Sequence, residues 1–221
     1  MRCKLIVLLA VSIALLGGSP AAAEVVKREL MIGIRGSLGL PIGDYPITGR
    51  TWSYLKDDVR TGWALGASVD KMVSPSVSIG GGLDYNSQPM RSAELRQSLQ
   101  QQGYNVDPQF SWKTLAFTGH VRYYLMPEAA INFFGQFGAG AYVNKFSTSY
   151  RVHGTNGMSQ DVPRNQSRTD IGINAGPGML VRLGPVTRLS LDAIFHNVFT
   201  KNQSTRYLNI TAGIIFSIMP E

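Results

Sequence analysis

Cysteine is almost absent from this 221-residue chain, and the one cysteine is Cys3. It lies in a leader that begins with Arg2 and Lys4, continues with an apolar run and ends in small residues. A basic start followed by an apolar stretch and small residues predicts a secretory signal peptide, which we assign to residues 1–23. Residues 24–221 then form an exported chain that has no disulfide, no thiolate chemistry and no cysteine available for a lipid anchor.

Long apolar runs are also lacking after the leader. None reaches the roughly 20 residues that a membrane-spanning helix needs. The whole chain has 21 basic and 14 acidic residues, and removal of the leader with Arg2 and Lys4 leaves 19 basic ones. These are scattered and form no basic-aromatic motif, so we predict no nucleic-acid partner. Attraction to an anionic membrane surface or lipid headgroup is the expected role of the excess charge.

What the sequence does have is alternation of apolar and small polar residues. It is clearest in RYLNITAGIIFSI, residues 206–218, where every second residue is apolar, which is the period of a β-strand. Seven earlier segments show the same period. The eight predicted strands cover residues 31–40, 62–73, 76–87, 114–125, 131–146, 170–183, 188–199 and 206–218.

The connections between these strands alternate in length. Short turns are expected near Pro75, Pro127 and Pro185, and longer links at 43–61, 89–112, 147–168 and 200–205. This order predicts an all-β fold: an eight-stranded antiparallel up-and-down transmembrane β-barrel with short periplasmic turns and longer external loops. Within the second long link, the segment SAELRQSLQQQGY favours a short helix. Pro177, flanked by two glycines in the sixth strand, predicts a local bulge or kink.

A secreted soluble barrel would show the same period with its apolar face inward. The polar faces here consist mostly of Gly, Ser, Ala, Thr and Asn, whereas a surface in water normally carries more Lys and Glu. Small residues with a few charges suit a narrow barrel interior, so the apolar face is predicted to contact lipid. Aromatic residues near strand ends are expected to form the girdles at the membrane interfaces; these are Trp63, Tyr85, Tyr123, Phe133, Phe195, Tyr207 and Phe216.

The first strand, GIRGSLGLPIGDY, the hairpin GWALGASVDKMVSPSVSIGGGLDY and the alternating last strand together resemble the eight-stranded outer-membrane β-barrels of the OmpA and OmpX type. The resemblance covers most of residues 24–221. It implies residence in the outer membrane, contact with outer-membrane lipid and lipopolysaccharide, and insertion by the barrel assembly machinery. Such barrels commonly end on an aromatic residue, whereas this chain continues past Phe216.

Nine residues on the predicted inner face form a candidate polar network. They are Arg35, Asp70, Asp84, His120, Arg122, Asp170, Arg182, Asp192 and His196. An eight-stranded barrel is just wide enough for side chains to fill it, so an ion-pair plug is favoured over a wet lumen that passes small ions.

No catalytic, metal or cofactor site is predicted. His196 resembles in position the histidine of lipid A deacylases, whose strand carries His-x-Ser-Asn, but Val198 stands where the serine would be. A Ser-His-Asp device needs all three groups within reach. The isolated histidines lack the spacing of a metal site.

The sequence therefore favours a non-enzymatic outer-membrane protein with a structural or surface-interaction, adhesion-like role. The surface ligand is unknown, and aromatic residues of the long links are the candidates for contacting it: Trp52, Tyr54, Tyr104, Phe110 and Tyr150. Loops that face solvent or lipopolysaccharide without a dedicated partner are the alternative interpretation. A narrow, porin-like pore for small solutes and a lipid A-modifying enzyme are the two alternative functions.

Overall fold

A computed structural model describes residues 29–42, 59–90, 97, 101, 105–106, 109–153, 159–200 and 204–218. Nine strands lie in these ranges, in the order β1 (Leu30–Pro41), β2 (Gly62–Ser74), β3 (Val77–Met90), β4 (Asn105–Val106), β5 (Gln109–Tyr124), β6 (Ile131–His153), β7 (Ser159–Arg182), β8 (Thr187–Phe199) and β9 (Ser204–Ile218). In this part of the chain, no helix has the length and apolarity to cross a membrane.

Eight of the strands form one closed antiparallel sheet. Each long strand pairs with its neighbour in the chain, and β1 pairs with β9 from Leu30↔Ile218 to Pro41↔Tyr207. The two-residue β4 pairs only with the far end of β6. The predicted eight-stranded up-and-down barrel is therefore confirmed, including the pairing of the last strand with the first. Closure leaves no open edge around the barrel wall, which satisfies the backbone groups without water.

The barrel has two distinct ends. The turns after β2, β5 and β7 are short and lie at the same end as the starts of β1 and β6. We call this the short-turn end. The connections after β1, β3, β6 and β8 lie at the opposite, long-connection end.

Alternation along the strands separates an apolar exterior from a polar interior. Along β9, for example, Tyr207, Asn209 and Thr211 are buried, while Ile210 and Phe216 are about half exposed, at 48% and 47%. A water-soluble barrel would bury its apolar side chains, so this distribution fits lipid outside and polar groups inside. The exposed apolar belt includes Ile34, Leu38, Trp63, Leu65, Val69, Ile79, Phe117, Val121, Phe133, Phe137, Ile171, Ile210 and Phe216.

The predicted link at 147–168 was wrong. Here β6 continues to His153 and β7 begins at Ser159, so that the hairpin pairs as far as His153↔Ser159. The link at 89–112 is also shorter than predicted, because β3 reaches Met90 and β5 begins at Gln109. At 109–113 Phe110 and Trp112 alternate with polar residues, so the signal of a strand was present there. At 147–153 the signal is weak, since only Tyr150 and Val152 interrupt a polar sequence, and backbone pairing continues the ladder.

Two smaller predictions concern local irregularities. The pairing of β7 with β8 is interrupted at Gly176 and Pro177, but the register is the same before and after the gap, from Ala175↔Phe195 to Gly178↔Asp192. The predicted bulge is therefore wrong, and the missing N–H of proline accounts for a gap in the ladder. Of the predicted short helix, Gln97 and Gln101 are helical and its other residues lie outside the described part.

Candidate functional site: the polar network inside the barrel

An apolar cluster closes the interior at the short-turn end. It is formed by Met31, Tyr124, Phe134, Leu180 and Ile215, all at most 4% exposed. The rings of Tyr124 and Phe134 lie 5.8 Å apart in a tilted arrangement. Because these side chains come from β1, β5, β6, β7 and β9, they meet across the lumen and fill it with apolar groups.

The first part of the polar network adjoins this cluster and is centred on Asp70 of β2. One carboxylate oxygen, Oδ2, accepts a hydrogen bond from Arg122 Nη1 at 2.8 Å, and Oδ1 lies 2.7 Å from His120 Nε2. Arg122 also donates from Nε to Gln136 Oε1 at 2.8 Å, and its guanidinium lies 5.3 Å from the centre of the Phe134 ring. Asp70 and Arg122 are each 1% exposed, so this pair is stabilised by charge-assisted bonds in a site without bulk water.

The second part joins β1 to β3 across the intervening β2. Arg35 donates from Nε and Nη2 to the two oxygens of Asp84, at 2.8 Å and 2.6 Å. This bidentate geometry is the strongest form of an arginine–carboxylate contact. Gly66 of β2 lies beneath the pair, since a side chain there would meet Asp84 and Arg35. The glycine therefore leaves the space through which the two charged groups meet.

Toward the long-connection end, His196 lies in an aromatic cluster. Its ring stacks on Tyr207 at 4.5 Å with 11° between the planes, and its Nδ1 lies 3.2 Å from the hydroxyl of Tyr142. Tyr142, Tyr207 and Val198 are at most 1% exposed. Tyr207 therefore lies inside the barrel, and its predicted place in an interface girdle is wrong.

The side chains of this cluster include no serine that could serve His196 as a nucleophile. Val198, which replaces the deacylase serine, packs against the tyrosines. On β8 the nearest serine on the inner face is Ser190, six residues away, and its hydroxyl donates to Asp192 Oδ2 at 3.3 Å. Across the described residues, no group of three or more His, Cys, Asp or Glu could hold a metal ion.

Three further predicted network residues lie apart from these contacts. Asp170 pairs with Arg168 at 2.5 Å near the long-connection end. Asp192 is 8% exposed, and its Oδ1 has no hydrogen-bond partner. Arg182 is exposed at the short-turn end, where its Nη2 lies 3.4 Å from the carbonyl oxygen of Glu128. Its predicted place in the buried network is therefore wrong, because β7 reaches the rim of the barrel at this residue.

No protein-family model matches this chain, and no curated protein matches it in sequence. A solved structure of a major outer membrane protein from Thermus thermophilus covers 86% of this chain and 99% of its own, with 12% identity and a TM-score of 0.54. Neisserial surface protein A covers 86% and 97%, with 12% identity and a TM-score of 0.49. Ail of Yersinia pestis, solved with the heparin analogue sucrose octasulfate, covers 87% and 99%, with 13% identity and a TM-score of 0.49.

At these identities the likeness concerns the fold, and the similarity to the Thermus protein agrees with the closed sheet described above. The chain has the fold of the eight-stranded outer-membrane β-barrels.

In this outer-membrane barrel fold, the predicted surface residues divide into two groups. Trp52, Tyr54 and Tyr104 lie outside the described residues. Phe110 and Tyr150 lie in β5 and β6 rather than in loops, and their side chains are outside the described part. A shared contact surface of these five residues therefore stays a prediction.

Sequence reasoning also missed residues that shape the interior of the barrel. Phe134 closes the short-turn end, although it stands in phase with the polar residues Asn132 and Gln136. A bulky aromatic residue on an otherwise polar face was the available signal. Gly66 and Gly80 make room for the aspartates, and the recurrence of Gly-x-x-x-Asp in β2 and β3 could have indicated this.

Proposed function

We propose that this protein is a non-enzymatic barrel of the bacterial outer membrane, with a sealed lumen and a structural or surface-interaction role. The observation that carries the proposal is the filling of the interior by side chains. Charged pairs occupy its middle, and an apolar cluster closes the short-turn end. A barrel filled in this way acts as a rigid support for what it carries outside the membrane.

The charged pairs that fill the middle of the barrel each reach over one intervening strand. Arg122 of β5 reaches Asp70 of β2, and Arg35 of β1 reaches Asp84 of β3. Next to them, Phe134 and Leu180 are 2% and 3% exposed. An ion that entered from the short-turn end would have to displace these apolar side chains and then separate buried charge pairs, which is costly in a site of low dielectric constant.

Conductance across a planar bilayer tests the sealed lumen. Purified, refolded wild-type protein is expected to give no stable open channel, and Phe134→Ala together with Arg122→Ala is expected to give small, frequent openings. The openings of the double variant show that inserted protein is detected by the assay. Stable conductance of the wild type would contradict the sealed lumen.

A narrow pore is the second candidate, because a polar cavity lies beside the charge pairs. It is lined by Arg35, Asp84, Thr118, Gln136, Asn174, Asp192 and their neighbours. Ion selectivity would then follow the cavity charges, so Asp192→Asn would lower any preference for cations. A wild-type channel with that response would support the pore instead.

Location in the outer membrane is supported by the predicted signal peptide and by the lipid-compatible exterior. Lys113 and Lys145 support contact with lipopolysaccharide, since they face each other on neighbouring strands. They lie two residues beyond the outward-facing Leu115 and Val143, at the long-connection end. Directly opposed like charges are unfavourable unless an anion lies between them, and lipid A phosphates would supply one. Insertion by the barrel assembly machinery belongs to the same proposal.

The extended β6–β7 hairpin supports the surface-interaction role. Pairing of β7 with β8 ends at Ile171↔Phe199, whereas β6 and β7 stay paired as far as His153↔Ser159. At about 3.3 Å per residue, the hairpin projects well beyond its neighbour. We expect that replacing 147–165 by a short turn leaves a heat-modifiable barrel but lowers adhesion of expressing cells to host cells or matrix. Unchanged adhesion would contradict this role for the hairpin.

A further inference from the structure

Basic side chains are distributed unevenly over the outer surface of the barrel. Among the outward-facing strand residues whose side chains the structure describes, four are basic and none is acidic. They are Lys71 near the short-turn end and Lys113, Lys145 and Arg206 toward the long-connection end. Because charges on a lipid-facing wall are costly without a counterion, these side chains take their counterions from the membrane interface.

Two of these basic residues lie side by side. Lys113 of β5 is directly opposite Lys145 of β6, and the Cβ atoms of such a pair are about 5 Å apart. Arg206 lies on β9, three strands from β6, and its Nε is 3.4 Å from Asn197 Oδ1. Within the part of the chain that the structure describes, neither lysine forms a hydrogen bond or an ion pair. Two free ammonium groups at this spacing repel each other, so the pair is a place for an anion.

Four serine side chains flank the lysine pair on the same outer face. Two lie directly opposite the lysines on the adjoining strands β3 and β7, and two form the next outward pair along β5 and β6. In that order they are Ser87, Ser167, Ser111 and Ser147. Each hydroxyl can donate a hydrogen bond to a phosphate oxygen. Lysine itself binds phosphate as a point charge, so the six side chains together suit a phosphate group.

The position of the pair favours a phosphate that is part of a lipid. Toward the middle of the barrel wall, the next outward residues are Leu115 and Val143. Phe117 follows them and is 50% exposed. The lysines therefore lie at the border of the apolar belt, where acyl chains cover the wall and long basic side chains extend to the headgroups. A free anion in water would make no use of this apolar border.

We propose that Lys113 and Lys145 bind one phosphate monoester of a single lipid A molecule on the β5–β6 wall. A phosphate monoester carries a charge of about −1.5 to −2 at pH 7, which matches two ammonium groups, whereas the phosphodiester of a phospholipid carries a single negative charge. The serines donate to its oxygens, and acyl chains of the same lipid cover Leu115 and Val143. This inference rests on the proposed location in the outer membrane. It adds to a general contact with lipopolysaccharide a defined site that holds one lipid on one side of the barrel.

Native mass spectrometry of the full chain, folded in detergent, tests the site. The probes are bisphosphorylated lipid A, the same lipid without its phosphates, phosphatidylglycerol and inorganic phosphate. The wild type is expected to bind one bisphosphorylated lipid A per barrel and to bind the other three probes more weakly. Combining Lys113→Gln with Lys145→Gln should weaken the binding of lipid A about 30-fold, the effect expected for two basic residues at an anionic lipid surface.

Lys71→Gln is the matched control, because it removes an outward-facing lysine of β2 near the short-turn end. It should bind lipid A like the wild type. The change in gel mobility on heating shows that each variant is folded. The comparison of lipid A with and without phosphates is made on the wild type and needs no variant.

Three results would overturn the proposal. The first is a wild type that binds no lipid A, or that binds the form without phosphates equally well. The second is a double variant that binds lipid A as tightly as Lys71→Gln does. The third is equal binding of phosphatidylglycerol or inorganic phosphate, since the lysines would then not distinguish lipid A from other anions. Conductance and membrane fractionation test the sealed lumen and the outer-membrane location separately, so failure of this site is distinguishable from failure of the proposed function.

Discussion

Gly66 and Asp84 lie directly opposite each other on β2 and β3, and the aspartate side chain occupies the space that a side chain on residue 66 would fill. The same relationship is reversed four residues along the hairpin. There Asp70 of β2 faces Gly80 of β3, and a Cβ on Gly80 would lie 2.5 Å from Asp70 Oδ1. Each strand therefore supplies one aspartate and one glycine, and the two buried ion pairs depend on both glycines.

Gly66→Ala is expected to destabilise the barrel by about 1–3 kcal/mol, the usual cost of overpacking a filled interior. The added Cβ collides with the Asp84 carboxylate and weakens its bond to Arg35. Urea unfolding, followed by the change in gel mobility between folded and heated protein, measures the effect. Gly36→Ala is the control, because nothing lies within 4 Å of its new Cβ. Equal stability of the two variants would show that the close packing at residue 66 is not important.

Arg122→Met is expected to cost about 3–5 kcal/mol, because it leaves the Asp70 carboxylate buried with only His120 as a partner. Adding Asp70→Asn should recover part of the loss, since no uncompensated charge then remains. For comparison, Arg168→Met removes the partner of Asp170 from a site where the arginine side chain is 42% exposed, and it should cost at most about 1 kcal/mol. If the two single variants lose similar stability, the buried pair is not the main support of the lumen.

Ile34→Arg tests which face contacts lipid. Ile34 lies at the middle of β1 and is 62% exposed on the outside. Arginine near the centre of a bilayer costs a transmembrane barrel about 2–4 kcal/mol, whereas the cost near the interface is about 0–1 kcal/mol. Met126→Arg, in the short turn after β5, provides the interface comparison. Folding into lipid vesicles measures both, and an equal effect at the two positions would contradict the membrane-spanning orientation.

His196→Ala is expected to leave lipid A unchanged, because the histidine has no nucleophile in its cluster and is enclosed by Tyr142 and Tyr207. Mass spectrometry of lipid A from cells that express the wild type, the variant or an empty vector should give one acylation pattern. Loss of an acyl chain with the wild type alone would instead establish an enzyme.

The fold could be predicted because its main signal is local. Alternation with period two gives the strands and their inner and outer faces, and turn residues such as Pro75 and Pro185 mark the short-turn end. The signal was weak in the mostly polar segment 147–153. Only Tyr150 and Val152 are apolar or aromatic there, and backbone pairing with β7 makes that segment a strand.

The sequence by itself determined which residues point into the barrel, because the face on which a side chain lies depends only on its position along one strand. Tertiary structure decided which of them meet. Arg35 reaches Asp84 across a strand whose glycine leaves room, while Arg182 lies at the rim of the barrel because of where β7 ends. Tyr207 is an aromatic residue near the end of a strand, as interface residues are, yet it stacks on His196 inside the barrel. Such contacts depend on the register and tilt of strands that are far apart in the chain, and alternation carries no information on either.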